Sequence, residues 1–474
     1  MKKKPIICLL LACILVLSIP VVFSHAEDPA AVDRGCSTLQ AKVPLGGSQQ
    51  LTESAKAVFL YELNTDTLVY AWNPDAQIDP SGMVKILTVL VALENGNLED
   101  VVTVKRSVLN TVAIGAVSAN LQAGEQIPVR DLMYCVMVSS ANDAAAVLAD
   151  HIGGSQEAFV EMMNQKATEL GCTGSNFTNV HGLNTTGQYS TARDLAIITD
   201  AALDNPLFTE MFCLDNYTVP ATNKSEERYI ITTNYMMSDE YIKNYIDARV
   251  TGGKTAAATL TDRSIICTAE VGTSRYLCIV MSAQAEVTED GFTVLRFGSF
   301  DEAAVALDYG FQNFSVRQVV DRRQIFGQYG VSGGDNDVTV STSVDLFTVL
   351  PNDYATEKLL FVDVMDANLL QAPVQKGAVV GTLQVSYDGI VLGSCDLIAN
   401  HRVAVSGTII QKAPFLQEEE KEPFHYKRVL MIAGLVVAVI LLIVALVMVS
   451  IRLIRSARIR QQHRRRMRNR RRSR

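Results

Sequence analysis

The 474-residue sequence predicts an α/β (α+β) domain, an antiparallel sheet with helices packed on it, followed by an all-β domain and one transmembrane helix. Three observations carry that prediction. A strand hairpin, a helical middle and a late run of strands follow one another between residues 55 and 314. From residue 315 to 414 the pattern changes to alternating apolar and polar residues, the period of half-buried strands. Residues 429–451 form a 23-residue run without a charge, long enough to cross a hydrocarbon core with some tilt.

The chain opens with a lysine cluster, an apolar stretch and the small-x-small ending Ser24-His25-Ala26. Residues 1–26 therefore read as a secretory signal cleaved after Ala26, with a retained anchor as the alternative. Residues 27–54 form an extension. "AKAVFLYELNTDTLVYAWN" then reads as two strands around an Asn-Thr-Asp turn. "GMVKILTVLVALENG" has helical periodicity and a glycine stop. "VRDLMYCVMVSSANDAAAVLADHIGG" and "SQEAFVEMMNQKATELG" are helical with glycine exits, and "STARDLAIITDAAL" is a helix with Ser190 or Thr191 available as its cap. "ARVTGGKTA", "RSIICTAEV" and "RYLCIVMSA" are strands, and "SFDEAAVALDYGFQNF" closes the domain as a helix.

The all-β domain is read from "DVTVSTSVDLFTVL", "KLLFVDVM", "VVGTLQVSYDGIVLGSCDLIA" and "RVAVSGTII", with an Asp388-Gly389 hairpin turn. A charged stalk, 415–428, leads to the span at 429–451. The tail, 452–474, holds twelve arginines and no acid. The positive-inside rule places it in the cytoplasm and the main domains outside, and anionic lipid explains it better than nucleic acid.

Charge supports the same division. Of the 42 Lys and Arg residues, three fall in the signal and twelve in the tail, leaving 27 against all 50 acids in residues 27–451. The exported part thus carries about −23, which argues against nucleic-acid binding and requires a local basic site for any anionic ligand. Seven widely spaced cysteines remain outside the signal, with no CxxC and no metal-type spacing with histidine. No metal or cofactor is expected, and Cys267 and Cys278, in apolar runs, read as core residues.

Three short stretches carry chemistry together: "PSGMVK" with Lys85 on the first helix, "SAN" at Ser140-Ala141-Asn142, and "KTA" at Lys254-Thr255-Ala256. With "HGL", "STARDLA" and "APVQKG" around them, the exported part from about Lys56 to Val405 resembles the low-molecular-mass penicillin-binding proteins, the serine-type D-Ala-D-Ala carboxypeptidases. The resemblance implies a penicillin-recognising transpeptidase/β-lactamase-like fold with the family's C-terminal β-domain, and peptidoglycan stem peptides and β-lactams as ligands.

It also implies a division of labour over the motifs SxxK, SxN and KTG. A serine attacks the penultimate D-Ala carbonyl, and a lysine one helical turn on takes its proton. The SxN serine relays a proton to the leaving group, and its asparagine contacts the peptide. The strand Lys and Thr hold the terminal carboxylate, and backbone amides form the oxyanion hole. A second lysine across the site can supply the cation that activates the first, and it also attracts a carboxylate. A lysine is a base only when burial or a neighbouring cation lowers its pKa.

Lys85, Ser140, Asn142, Lys254 and Thr255 match this pattern, as does Pro80. Two positions depart: Gly82 stands where the nucleophile belongs, and Ala256 replaces the strand motif's glycine. Ser81 lies one residue too early, which is about 100° of helical rotation, and a 1 Å misplacement can already cost ~100-fold. Ser81 is expected to be a helix N-cap, and Ser139 belongs to another element. His181 is expected to be structural, and Asp143 and Asp194 to cap or pair within helices. The sequence thus leads to a homologue unable to form the acyl-enzyme. Such a protein would bind stem peptides through Lys254, Thr255, Ser140, Asn142 and the Gly82 amide, and β-lactams without a covalent bond. The alternative is an active carboxypeptidase using Ser81.

Overall fold

Strands β1 (Ala57–Glu62) and β2 (Thr67–Trp72) form the expected hairpin in the computed structural model, which describes residues 39, 42–183 and 186–407. The helical middle contains α1 (Val84–Asn95), α2 (Val129–Met137), α3 (Asn142–Gly153), α4 (Gln156–Glu169), α5 (Ala192–Leu203) and α6 (Pro206–Cys213). Three late strands, β3 (Val250–Ala257), β4 (Asp262–Val271) and β5 (Ser274–Gln284), complete one antiparallel sheet in the order β2-β1-β5-β4-β3. Helix α7 (Gly298–Asn313) follows.

The sheet is buried on both faces. Along β1, Ala57, Phe59 and Tyr61 point into the helical cluster, while Val58 and Leu60 pack under α7. A strand covered on both sides reads as a continuous apolar run, which explains "AVFLY". Helix α1 is the helical counterpart. Every residue from Val84 to Ala92 is buried, so it lies at the centre of the domain and is apolar nearly all round. That central position takes Lys85 out of water.

Local signals account for several ends. Thr191 caps α5 by accepting from the Asp194 amide, while Ser190 turns to the Ser175 hydroxyl. Ser155 caps α4 in the same way. Ser81 is not a side-chain cap of α1, because a 3-10 turn, Ser81–Met83, precedes that helix and no side-chain cap bond forms. Asp79 Oδ1 instead accepts from the Ser81 amide at 2.8 Å.

The β-domain begins at strand Phe314–Val320, which pairs with Leu346–Pro351. Its main sheet contains Ile325–Tyr329, Val338–Thr342, Ile390–Ala399, Val379–Tyr387 and Leu359–Met365 in that spatial order. Asp388 and Gly389 both have positive φ, the geometry of the expected hairpin turn. The strand expected in "RVAVSGTII" is reduced, within the described residues, to isolated bridges at Val403 and Val405, which meet a loop residue each and have no continuous neighbour strand.

Cys267 and Cys278 are fully buried opposite each other on β4 and β5, as core residues. Among the described residues no helix is long and apolar enough to cross a membrane. The expected signal, stalk, span at 429–451 and tail lie outside those residues.

Candidate active site

Four pieces of chain converge on a cleft of about 210 Å³ beside the β3 edge. The turn before α1 contributes Ser81 and Gly82, and α1 itself Lys85. The α2–α3 connection brings Ser140 and Asn142, the turn at 181–183 brings His181, and β3 brings Thr255 and Ala256. The sequence-predicted residues are thus brought together, with Lys254 adjacent on β3.

Lys85 is 2% exposed. Its Nζ donates to Asn142 Oδ1 at 2.9 Å and to the His181 carbonyl at 2.5 Å, and forms no hydrogen bond to Ser81. Asn142 is fixed for that task, because its Nδ2 donates to the Val117 carbonyl. Burial, and second the charge of Lys254, hold Lys85 well below the usual lysine pKa. Lys254 is 1% exposed, and burial lowers it to about 7. Its Nζ donates to the Thr255 carbonyl at 3.1 Å, while Thr255 Oγ1 donates to Thr233 Oγ1 at 2.6 Å.

Two serines border the cleft with backbone in the left-handed region, Ser81 at φ +45 and Ser140 at φ +63. Such residues cost of order 1–3 kcal/mol and collect at functional sites. The turn at Gly182 presses on the first of them. Gly182 has φ +84, and a Cβ there would lie 2.0 Å from the Ser81 carbonyl oxygen. Next to Lys254, Gly253 is required by close approach, because a Cβ would sit 2.4 Å from Asn234 Nδ2.

The two departures from the motif pattern are neighbours. A Cβ built on Gly82 would meet Ala256 Cβ at 3.6 Å, the Thr255 carbonyl oxygen at 3.6 Å and Ala256 Cα at 3.7 Å, all ordinary contacts. Position 82, which carries no side chain, and the Ala256 methyl therefore face one another.

The remaining candidates are structural. His181 Nδ1 accepts from the Leu183 amide, and burial with the Lys85 charge pushes its pKa down to about 4, so the ring is neutral. Asp143 accepts from Ser118 Oγ and the Ala119 and Leu121 amides, tying the 118–121 loop to the start of α3. Asp194 receives the Gly174 amide and the Ser175 hydroxyl. Ser139 Oγ donates to the Cys135 carbonyl. No group of acids, histidines and cysteines among the described residues could hold a metal ion. Thr233, Tyr235, Arg263 and Phe297 also line the cleft. They carry no motif, and the first two come from an aperiodic stretch that offered no signal.

Comparison with known proteins follows the same division of the chain. Residues 46–285 match the family model described as D-alanyl-D-alanine carboxypeptidase, and residues 314–405 match the penicillin-binding protein 5 C-terminal domain. The chain is 30% identical over 362 residues to D-alanyl-D-alanine carboxypeptidase DacA of Haemophilus influenzae, covering 75% of this chain and 86% of that one. It is 27% identical over 369 residues to DacF of Bacillus subtilis, covering 76% and 89%. Penicillin-binding protein 5 from Haemophilus influenzae superimposes with a TM-score of 0.60 at 28% identity, over 76% of this chain and all of that structure.

Proposed function

The chain belongs to the D-alanyl-D-alanine carboxypeptidase family, and we propose that it serves peptidoglycan metabolism by holding stem peptides without cutting them. One observation carries this reading. The position one helical turn before Lys85 is Gly82, which has no hydroxyl, and the Lys85 amine is bonded to Asn142 and His181 instead of Ser81. A hydroxyl without an adjacent base is a poor nucleophile, so Ser81 has no activated route to an acyl-enzyme.

The rest of the cleft supports retention of the ligand. Lys254 and Thr255 would hold the terminal carboxylate, with Ser140, Asn142 and the Gly82 amide along the peptide. β-Lactams would enter the same cleft without a lasting bond. The proposal includes an extracytoplasmic, single-pass protein, supported by the signal-like start, the uncharged run at 429–451 and the arginine tail.

The test uses a pentapeptide ending in D-Ala-D-Ala, with binding measured by calorimetry and free D-Ala assayed in the same samples. Saturable binding that weakens at least about tenfold in Lys254→Met, with no D-Ala released, is expected. Release of D-Ala that disappears in Ser81→Ala would contradict the proposal, as would absence of binding.

A further inference from the structure

In this reading Lys85 has no serine to deprotonate, so a buried amine lines the cleft without a task. Its partners are unusual for a lysine. Both acceptors, Asn142 Oδ1 and the His181 carbonyl, are neutral, and none of the ion pairs among the described residues includes Lys85. Neither acceptor can turn away. Asn142 is held by its bond to Val117, and the His181 turn by Gly182 against Ser81.

An unprotonated amine has two N–H donors and one lone pair. When Lys85 is unprotonated, its two donors are directed to Asn142 and His181 and neither acceptor engages the lone pair of an amine that lines the cleft. Gly82, which lines the same cleft, adds no side chain to it.

We propose that Lys85 is an amine nucleophile that captures small aldehydes and ketones bearing a carboxylate, with Thr255 and Lys254 receiving that carboxylate. The Nζ lone pair attacks the carbonyl carbon, and the C=O π pair moves to oxygen. Proton transfer from nitrogen to oxygen gives a carbinolamine. Loss of water then forms the C=N bond, so amine and carbonyl give imine and water with no change of oxidation state. Amine nucleophiles of this kind need desolvation or a neighbouring cation, and Lys85 has both. The inference rests on the non-acylating reading, because a serine at 82 would engage the same lone pair.

The experiment incubates the full chain with glyoxylate and cyanoborohydride at pH 7, which reduces any imine to a stable secondary amine, and maps the adduct by mass spectrometry. A single adduct at Lys85 is expected, formed at least about tenfold faster than at any exposed lysine, since each unit of lowered pKa frees tenfold more amine. Propanal, which lacks the carboxylate, should label Lys85 more slowly, and Thr255→Val should remove that difference. Gly82→Ser, whose folding is checked by thermal melting, should suppress the adduct. Labelling spread over exposed lysines, or none at Lys85, would overturn the proposal. D-Ala release through Ser81 would overturn the binding reading, whereas a missing glyoxylate adduct without such release would sink this inference alone.

Discussion

Gly82→Ser should convert the protein into one that acylates. The new Cβ would find its nearest neighbours at 3.6, 3.6 and 3.7 Å, so no atom needs to move to admit it. Replacing glycine where the backbone permits a side chain changes stability by less than about 1 kcal/mol, in the stabilising direction. The serine would stand one helical turn before an amine already lowered by burial and by Lys254. A positioned general base contributes about 10²–10⁴-fold. Ala256 Cβ, at 3.6 Å, is the first carbon the new side chain meets. If its methyl displaces the substrate carbonyl by about 1 Å, relieving it with Ala256→Gly adds up to ~100-fold. The assay is the growth of a penicilloyl adduct with time, followed by intact mass. Gly82→Ser should label slowly and the double variant faster, and Lys85→Met in that background should lose at least ~100-fold. Folded Gly82→Ser and Gly82→Ser/Ala256→Gly proteins that both fail to label would refute the claim that only these two positions disable the site.

Other consequences are as direct. Gly182→Ala places a methyl 2.0 Å from the Ser81 carbonyl oxygen on a left-handed backbone, and should cost at least about 3 kcal/mol in urea unfolding. An unchanged midpoint would contradict the packing of that turn. His181 has its pKa held down to about 4, below its ordinary 6.5, so the unfolded chain takes up the proton first. Stability at this group is full above pH 6.5 and is lost as pH falls toward 4, by up to about 3 kcal/mol. Urea titrations at pH 7 and 4.5 should show the loss shrinking in His181→Gln. Removing the Lys254 charge raises the proton affinity of Lys85, so the acid limb of acylation in Gly82→Ser should move to higher pH when Lys254→Met is added. A limb that stays or moves down would contradict the coupling.

Much of this site could be read before the structure. Lys85, Ser140, Asn142, Lys254 and Thr255 stand out by order and spacing, and the structure gathers all but Lys254 at one cleft, with Lys254 beside it on β3, because a central apolar helix and a sheet edge meet there. The turn before α1 could not be read. Ser81 after Pro80 has the composition of a cap, but its positive φ and the Asp79 carboxylate give it another role. Thr233 and Arg263 also escaped notice, because tertiary contacts alone bring them to the cleft. The facing of Gly82 and Ala256 is likewise invisible in one dimension, since 174 positions separate them and only the fold brings them together.

Whether the site binds without acylating is decided by the intact mass of the unaltered protein after prolonged incubation with penicillin. The mass should stay unchanged, while a saturable shift in protein stability reports occupancy of the cleft. A stable penicilloyl adduct that disappears in Ser81→Ala would contradict it and establish a working enzyme with a displaced nucleophile.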